Sequence, residues 1–330
     1  SFELEAKGLR LSGATKDFKI TETPKFTIHE KEGITEKIRE IFKKQSFKDE
    51  LKVKVVNIKG EEIPGVNLEE EDSNDVAISL EANLDPGKYS VVIKDDENHE
   101  IKQDFTWGVL AINTNKSIYL PNETAKLAMA VLDDKGGIVC NASLVLRVIN
   151  SQLGVDDTLF TKDGSIKTTG VCGSKQLTLI PDYEAEYQVK GPGIYQMILT
   201  AEVDGNVRTI KDSFEVRENV LFEVERITAT RIYPTNSYPV IMRIKVNQDY
   251  LGIVEEKVPE KFTISDISED KVRQYISLSE GEKLPTRFEE RLETTPLAGR
   301  KILKWLVDWK KDQTYVLSYS YVAPIDSPEF

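Results

Sequence analysis

The sequence predicts an all-β protein built as three antiparallel β-sandwiches in series. The main observation is a pattern that occurs three times: a turn, then a tyrosine, then a long strand in which apolar and polar residues alternate. The tyrosines are Tyr89, Tyr195 and Tyr315, and they lie 106 and 120 residues apart. Each spacing fits one sandwich of about 100 residues. A second observation is the hydrophobic content, which at 39% of 330 residues is enough for several cores.

The repeated tyrosine indicates that the sandwiches are Ig-like. In Ig-like sandwiches, a tyrosine near the start of one strand hydrogen-bonds to the backbone a few residues upstream, in a tyrosine corner. The turns at 85–88 and 191–193 contain Pro and Gly, whereas the turn at 311–314 contains no Gly and must differ. The spacing predicts three domains, at 1–106, 107–218 and 219–330.

The first domain also contains a helical pattern. In the stretch 33–44, apolar residues recur at helical spacing, Thr35 is placed to cap the N-terminus, and basic residues stand at the end. The apolar residues are Ile34, Ile38, Ile41 and Phe42. We expect one short helix here, covering an edge of the first sandwich.

The second domain opens with two alternating strands around a tight turn. Apolar residues alternate in 125–131 and again in 144–148, and 133–137 reads Asp-Asp-Lys-Gly-Gly. Asp and Gly tolerate the dihedral angles of tight turns, so the pattern predicts an antiparallel pair. Residues 217–219 lead straight into the third domain, so the junction between the two domains is short.

The beginning of this domain resembles a known family. Residues 113–124 read Asn-Thr-Asn-Lys-Ser-Ile-Tyr-Leu-Pro-Asn-Glu-Thr, followed by Asp133 to Gly136. This stretch is similar to the second-position sandwich domain of alpha-macroglobulins, and the resemblance covers about a third of the chain. The chain departs from the family pattern at Asn115, where Asp is usual, and at Asn122, where Gly is usual. Asn tolerates the left-handed backbone conformation of Gly, so the second change is mild. The resemblance implies an extracytoplasmic sandwich module and does not imply protease inhibition.

The third domain is expected to lack its last strand. After the strand that begins at Tyr315, the chain reads Ala-Pro-Ile-Asp-Ser-Pro-Glu-Phe, and two prolines cannot donate to a strand ladder. The polar stretch 265–300 is predicted to be loop with weak strands. We expect either this loop or a neighbouring chain to cover the edge beside 315–322. This domain resembles repeat modules of large bacterial surface proteins in three Pro-containing segments: Ile232-Tyr233-Pro234, Val258-Pro259-Glu260-Lys261-Phe262, and Ala323-Pro324 followed by Ser327-Pro328-Glu329-Phe330.

Composition and charge argue against several classes of partner. The formal net charge of −12 opposes binding to nucleic acid, which needs a basic surface. No stretch approaches the ~20 apolar residues of a membrane span, so no direct membrane insertion is expected in this segment. No signal peptide opens the chain, which we interpret as a mature form or an excised fragment.

No catalytic or cofactor motif stands out in the sequence. The two histidines, His29 and His99, lie in no recognisable triad or zinc motif. We therefore expect no enzymatic activity, no cofactor and no metal. A calcium site in the acidic runs and an isopeptide cross-link through a lysine both remain open.

Two residue pairs are candidate sites. Cys140 and Cys172 lie in the second domain, and the alternatives for them are a disulfide or two buried thiols of a cytosolic protein. The surface-module interpretation favours the disulfide. Trp305 and Trp309 are four residues apart, and in a strand they share one face, so they form either a sugar-binding platform or a buried core pair.

The leading functional prediction is a non-catalytic, structural or adhesive segment of a large extracellular or cell-surface protein. Its partner would be a protein or a glycan at the cell surface. One alternative is a scaffold for a macroglobulin-like protease-trapping or host-interaction protein. Another is a carbohydrate-binding accessory module, which would use the tryptophan pair.

Overall fold

The all-β prediction is confirmed by the computed structural model, which contains six sheets that form three pairs along the sequence. The structure describes residues 1–6, 9–30, 47–71, 75–81, 84–95, 99–173, 179–230, 236–276, 289–292 and 300–324. The helix predicted at 33–44 lies outside these residues.

The first sandwich has two five-stranded sheets, in the orders β1-β2-β4-β8-β7 and β3-β10-β9-β5-β6. Its strands are β1 (Phe2–Ala6), β2 (Leu9–Gly13), β3 (Asp17–Phe18), β4 (Lys25–Glu30), β5 (Lys52–Asn57), β6 (Glu62–Ile63), β7 (Val66–Glu70), β8 (Asp75–Leu80), β9 (Gly87–Lys94) and β10 (Glu100–Trp107). A short 3-10 helix, Phe47–Glu50, precedes β5. One apolar core joins the sheets because alternate residues of each strand point inward. It includes Leu11, Ile28, Ile78, Val91, Ile93 and Phe105.

The second sandwich has a four-stranded sheet, β11-β13-β17-β16, and a five-stranded sheet, β12-β19-β18-β14-β15. Its strands are β11 (Leu110–Thr114), β12 (Ile118–Tyr119), β13 (Thr124–Val131), β14 (Ser143–Asn150), β15 (Val155–Phe160), β16 (Ile166–Thr168), β17 (Tyr183–Gln188), β18 (Gly193–Val203) and β19 (Asn206–Val216). The alternation in 125–131 and 144–148 places Leu127 and Leu146 in the interior. Tyr187 and Tyr195 contact each other edge to face between the sheets.

The third sandwich has the sheets β20-β21-β26-β23 and β22-β25-β24. Its elements are β20 (Phe222–Thr228), β21 (Ser237–Val246), β22 (Tyr250–Pro259), β23 (Thr263–Ser265), α1 (Glu269–Tyr275), β24 (Glu289–Leu292), β25 (Arg300–Trp309) and β26 (Thr314–Val322). Its core includes Ile244, Leu303, Trp305, Val307, Leu317 and Tyr319.

By compactness the described chain divides into two units. The first unit contains Ser1–Ala111 together with Val131–Val139 and Arg208–Ile210. The second contains Ile112–Ala130, Cys140–Val207 and Lys211–Phe330. The junction between the second and third sandwiches that is described below lies wholly within the second unit.

All three predicted tyrosine corners bond to the backbone upstream, although the third uses a different group. The hydroxyls of Tyr89 and Tyr195 donate to the carbonyl oxygens of Asp85 (2.6 Å) and Gly191 (3.0 Å), each four residues upstream. The hydroxyl of Tyr315 accepts a hydrogen bond from the backbone N–H of Lys310 at 3.0 Å. Asp312 takes the left-handed conformation there, with φ of 61°, so a residue other than Gly makes this turn.

The helix α1 falls within the stretch predicted to be loop with weak strands. Ser268 caps its N-terminus by accepting from the backbone N–H of Lys271, and Val272 and Ile276 pack on Ile241 and Val316. The helix therefore covers the outer side of β21 and β26 with one apolar face. Polar residues around this short face masked the helical spacing in the sequence.

The last strand of the third sandwich has neighbours on both sides. The corner strands β9 and β18 lie beside the strands that follow them, β10 and β19. In contrast, β26 lies between β21 and the three-residue strand β23. Within residues 300–324 no strand follows β26. A missing final strand stays a prediction, and β23 covers part of the edge that we expected to be open.

Candidate functional site

The two cysteines are bonded to each other. Cys140 and Cys172 form a disulfide that closes a loop with a sequence separation of 32 residues. Cys140 lies between β13 and β14, and Cys172 follows β16, so the bond ties two connections of the second sandwich together. The chain has only these two cysteines.

Of the two alternatives for Trp305 and Trp309, the structure supports the buried core pair and contradicts the sugar-binding platform. Trp305 and Trp309 do share one face of β25, but that face points into the core, and the two side chains are 0% and 3% exposed. Trp309 packs against Phe222 and stacks on Tyr315. A side chain buried in this way cannot contact a sugar, so the pair is part of the core.

Residues 113–124 lie at the junction between the second and third sandwiches. Lys116 follows β11, and its ammonium contacts the carboxylates of Glu123 (2.7 Å) and Glu223 (2.8 Å). Glu223 belongs to β20 of the third sandwich, and Lys245 on β21 contacts its other oxygen at 3.2 Å. We call Asn115, Lys116, Glu123, Glu223 and Lys245 the junction cluster. It joins the two sandwiches through charge-assisted contacts.

The side chain of Asn115 contacts both sandwiches at the junction. Its side-chain oxygen accepts from the hydroxyl of Tyr119 at 2.7 Å, which an Asp would also do. Its side-chain nitrogen donates to Glu225 of β20 at 3.3 Å. An Asp at this position would set one carboxylate against another. Asn122 has φ of 67°, so the left-handed conformation expected from the sequence is confirmed.

The groups of the junction cluster stay charged although they are partly buried. Burial of Glu223 opposes its ionisation, but the hydrogen bonds and charges of Lys116 and Lys245 outweigh burial and lower its pKa to about 2. Burial also opposes the charge of Lys116, and its two carboxylate partners still raise its pKa above the ordinary value. Both groups are therefore charged at neutral pH, and the cluster acts as a fixed ion network.

A second polar arrangement lies on the outer face of the first sandwich. Ser12, His29 and Asp75 stand on the adjacent strands β2, β4 and β8. The hydroxyl oxygen of Ser12 is 2.8 Å from Nε2 of His29, and Nδ1 of His29 is 2.7 Å from Oδ1 of Asp75. These atom pairs match those of a Ser-His-Asp triad. Sequence reasoning missed them, because only the register of three strands brings residues 12, 29 and 75 together.

Other classes of site receive no support from the part of the chain that the structure describes. Within it, no group of three or more His, Cys, Asp and Glu residues is arranged to hold a metal ion. No described helix is both long and apolar enough to cross a membrane. The acidic runs at 69–75 and 95–97 each include residues outside the described ranges.

Comparison with known proteins gives distant structural likenesses. No protein-family profile matches the chain, and no curated protein matches it. An alpha-2-macroglobulin of Salmonella is 12% identical, with a TM-score of 0.23, over 99% of this chain and 23% of that chain. The native conformation of Escherichia coli alpha-2-macroglobulin is 13% identical, with a TM-score of 0.24, over 98% and 22%. The Ig1-2 module of the Drosophila receptor protein tyrosine phosphatase DLAR is 8% identical, with a TM-score of 0.22, over 65% and 100%.

This chain spans less than a quarter of the length of those macroglobulins. At such TM-scores the superpositions carry no argument about function. The paired sheets and tyrosine corners of the chain itself therefore define it as an Ig-like β-sandwich protein, and the comparisons assign it to no family.

Proposed function

We propose that this chain is a non-catalytic, structural or adhesive segment of a large protein of the cell surface. The observation that carries the proposal is the contact of Lys116 with Glu123 of the second sandwich and Glu223 of the third. The backbone N–H of Arg226 also donates to the carbonyl oxygen of Asn115 at 3.1 Å. A junction held in this way favours a fixed orientation between neighbouring sandwiches, as a supporting segment requires.

The disulfide supports the extracellular part of the proposal. Disulfides persist in oxidising compartments and are rare in the cytosol, and this one closes a loop within a single sandwich. The acidic surface, with a net charge of −12, suits a soluble segment that does not bind nucleic acid.

Surface proteolysis of intact source cells tests this proposal. Trypsin applied to whole cells should release peptides from this chain, and a cytosolic control protein should stay intact. Release of its peptides only after lysis would overturn the location. A broad hydrolase, transferase and redox screen of the purified chain should show no turnover, and sustained turnover would overturn the non-catalytic role.

The conformation of Asn122 favours a second candidate function. Its φ of 67° is the left-handed conformation that suits Gly. Asn122 stands where alpha-macroglobulins usually have Gly, within the stretch that resembles that family. The chain would then supply scaffold domains to a protease-trapping or host-interaction protein. Methylamine incorporation into the full-length protein, which reports a thioester elsewhere in it, would favour this function, and its absence would disfavour it. The carbohydrate-binding alternative loses its support with the burial of Trp305 and Trp309.

A further inference from the structure

We propose that Ser12 is a nucleophilic serine, activated by His29 and Asp75, that takes up one acyl group from a small activated carboxylic ester. The three side chains lie on the outer face of the first sandwich, so the inference does not depend on the junction or on the proposed structural role. It concerns a single covalent modification and requires no turnover.

The strand register explains how this arrangement forms. His29 on β4 is paired with Arg10 on β2 and with Asp75 on β8, so His29 and Asp75 are direct cross-strand neighbours. Ser12 is two residues beyond Arg10, on the same face, and diagonal to His29. The inward residues Leu11, Ile28 and Val76 are 0% exposed and hold the three strands in position. The triad therefore stands on a rigid sheet.

The atoms are placed for proton transfer. Nδ1 of His29 donates to Asp75 at 2.7 Å, which fixes the tautomer in which Nε2 is free to accept. Nε2 is 2.8 Å from the hydroxyl oxygen of Ser12 and can take its proton. The side chains of His29 and Asp75 are 19% and 29% exposed, so the carboxylate is partly shielded from water.

Ser12 borders a surface cavity of about 500 Å³ that offers room for a small ester. Gly13 and Ala14 also line the cavity, and Glu3 and Thr27 stand opposite Ser12 on the two neighbouring strands. Glu3 is paired with Arg10 at 3.2 Å, so its charge is balanced there and we expect a neutral ester. Thr27 brings a hydroxyl donor to the same cavity.

The reaction is a simple acyl transfer. The Ser12 oxygen attacks the carbonyl carbon and forms a C–O bond, while Nε2 of His29 takes the hydroxyl proton. The bond to the leaving alkoxide then breaks, and His29 passes the proton to that alkoxide. The backbone around Ser12 and Gly13 is held in ladders with β1 and β4, so it forms no dedicated oxyanion hole. The reaction should therefore be slow, and the serine ester should persist.

Labelling with a fluorophosphonate probe and with p-nitrophenyl acetate tests the proposal on the whole chain. We expect one adduct per chain, mapped to Ser12 by peptide mass spectrometry, and no adduct at this site in Ser12→Ala. His29→Gln should lower the labelling rate by about 100-fold or more, because the general base is removed. Asp75→Asn should also lower the rate, and circular dichroism confirms that each variant folds.

Ser165 serves as an internal control. Its hydroxyl bonds to Asp163 at 2.5 Å, and that pair includes no histidine to accept its proton. If the wild-type chain takes no label at Ser12, or labels Ser12 no faster than Ser165, the proposal is overturned. An unchanged rate in a folded His29→Gln variant would overturn it as well.

Discussion

Replacing Glu223 with Gln removes a carboxylate that two lysines share. The Glu223 side chain is only 7% exposed, and the change leaves Lys116 with Glu123 as its one charged partner in the junction cluster. We expect a loss of roughly 2–3 kcal/mol in the free energy of unfolding, on the low side of what breaking a buried ion pair costs. Urea denaturation at pH 7 measures this loss. Glu215→Gln, at the exposed pair with Arg217, is the matched control and should change the midpoint little.

The same variant isolates the pH dependence of the junction. Because the pKa of Glu223 is lowered in the folded chain from 4.5 to about 2, its contribution is complete above pH 4.5 and is lost as the pH falls towards 2. The stability difference between the wild-type chain and Glu223→Gln should shrink over that window. A difference that stays constant from pH 5 to pH 2.5 would contradict the ion network.

Asn115→Asp tests the contact of the Asn115 amide with the third sandwich. The change replaces the donor that faces Glu225 at 3.3 Å with a second carboxylate. We expect a loss of about 1–2 kcal/mol at pH 7, because a hydrogen bond to a charged group is exchanged for repulsion. Asn206→Asp, at the exposed start of β19, carries the same change in charge and should have little effect. Equal stability of the two variants would show that the hydrogen bond from the Asn115 amide to Glu225 does not stabilise the fold.

At the scale of elements, each tyrosine corner ties a strand to the turn that immediately precedes it. Tyr195→Phe keeps the ring that stacks on Phe214 and removes the hydroxyl that bonds to Gly191 and Lys190. We expect a loss of about 1–3 kcal/mol in the free energy of unfolding, because two hydrogen bonds are lost at about 0.5–1.5 kcal/mol each. Tyr250→Phe removes a solvent-exposed hydroxyl bond and should cost less. A larger effect at Tyr250 would contradict a stabilising role for the corner.

Strand β25 allows a direct test of which face points inward. Trp305 is 0% exposed and its neighbour Leu306 is 74% exposed. Trp305→Ala should therefore destabilise the third sandwich by about 4 kcal/mol, as for other large core truncations. Leu306→Gln should leave its thermal midpoint nearly unchanged and lower any tendency to aggregate. Comparable losses in both variants would mean that the outer face of β25 is covered in solution.

These elements show which features could be read from the sequence. The tyrosine corners were predictable because the turn, the tyrosine and the strand are adjacent in the chain. The shared face of Trp305 and Trp309 was also predictable, but period-two alternation does not say which face is inward. Ser12, His29 and Asp75 were not predictable, because their proximity depends on the pairing of β2, β4 and β8. The cap at Ser268 and the spacing of Val272 and Ile276 were signals for α1 that the surrounding polar residues masked.

At the scale of the whole molecule, the disulfide offers a way to separate the stability of one sandwich from that of the others. Its loop lies entirely within the second sandwich, between Cys140 and Cys172. Closing a loop of that length constrains the unfolded chain and contributes about 3–4 kcal/mol in the chain-entropy model. Alkylation of the denatured chain should add two groups after reduction and none before it.

Calorimetry of the oxidised and reduced chains should then show which parts unfold together. Reduction should lower the transition of the second sandwich, and also that of the third, because the junction cluster links their stabilities. In Glu223→Gln, reduction should lower the transition temperature of the second sandwich alone, because the contact of Lys116 with the third sandwich is weakened. A single transition that moves as a whole on reduction would show that all three sandwiches unfold as one cooperative unit.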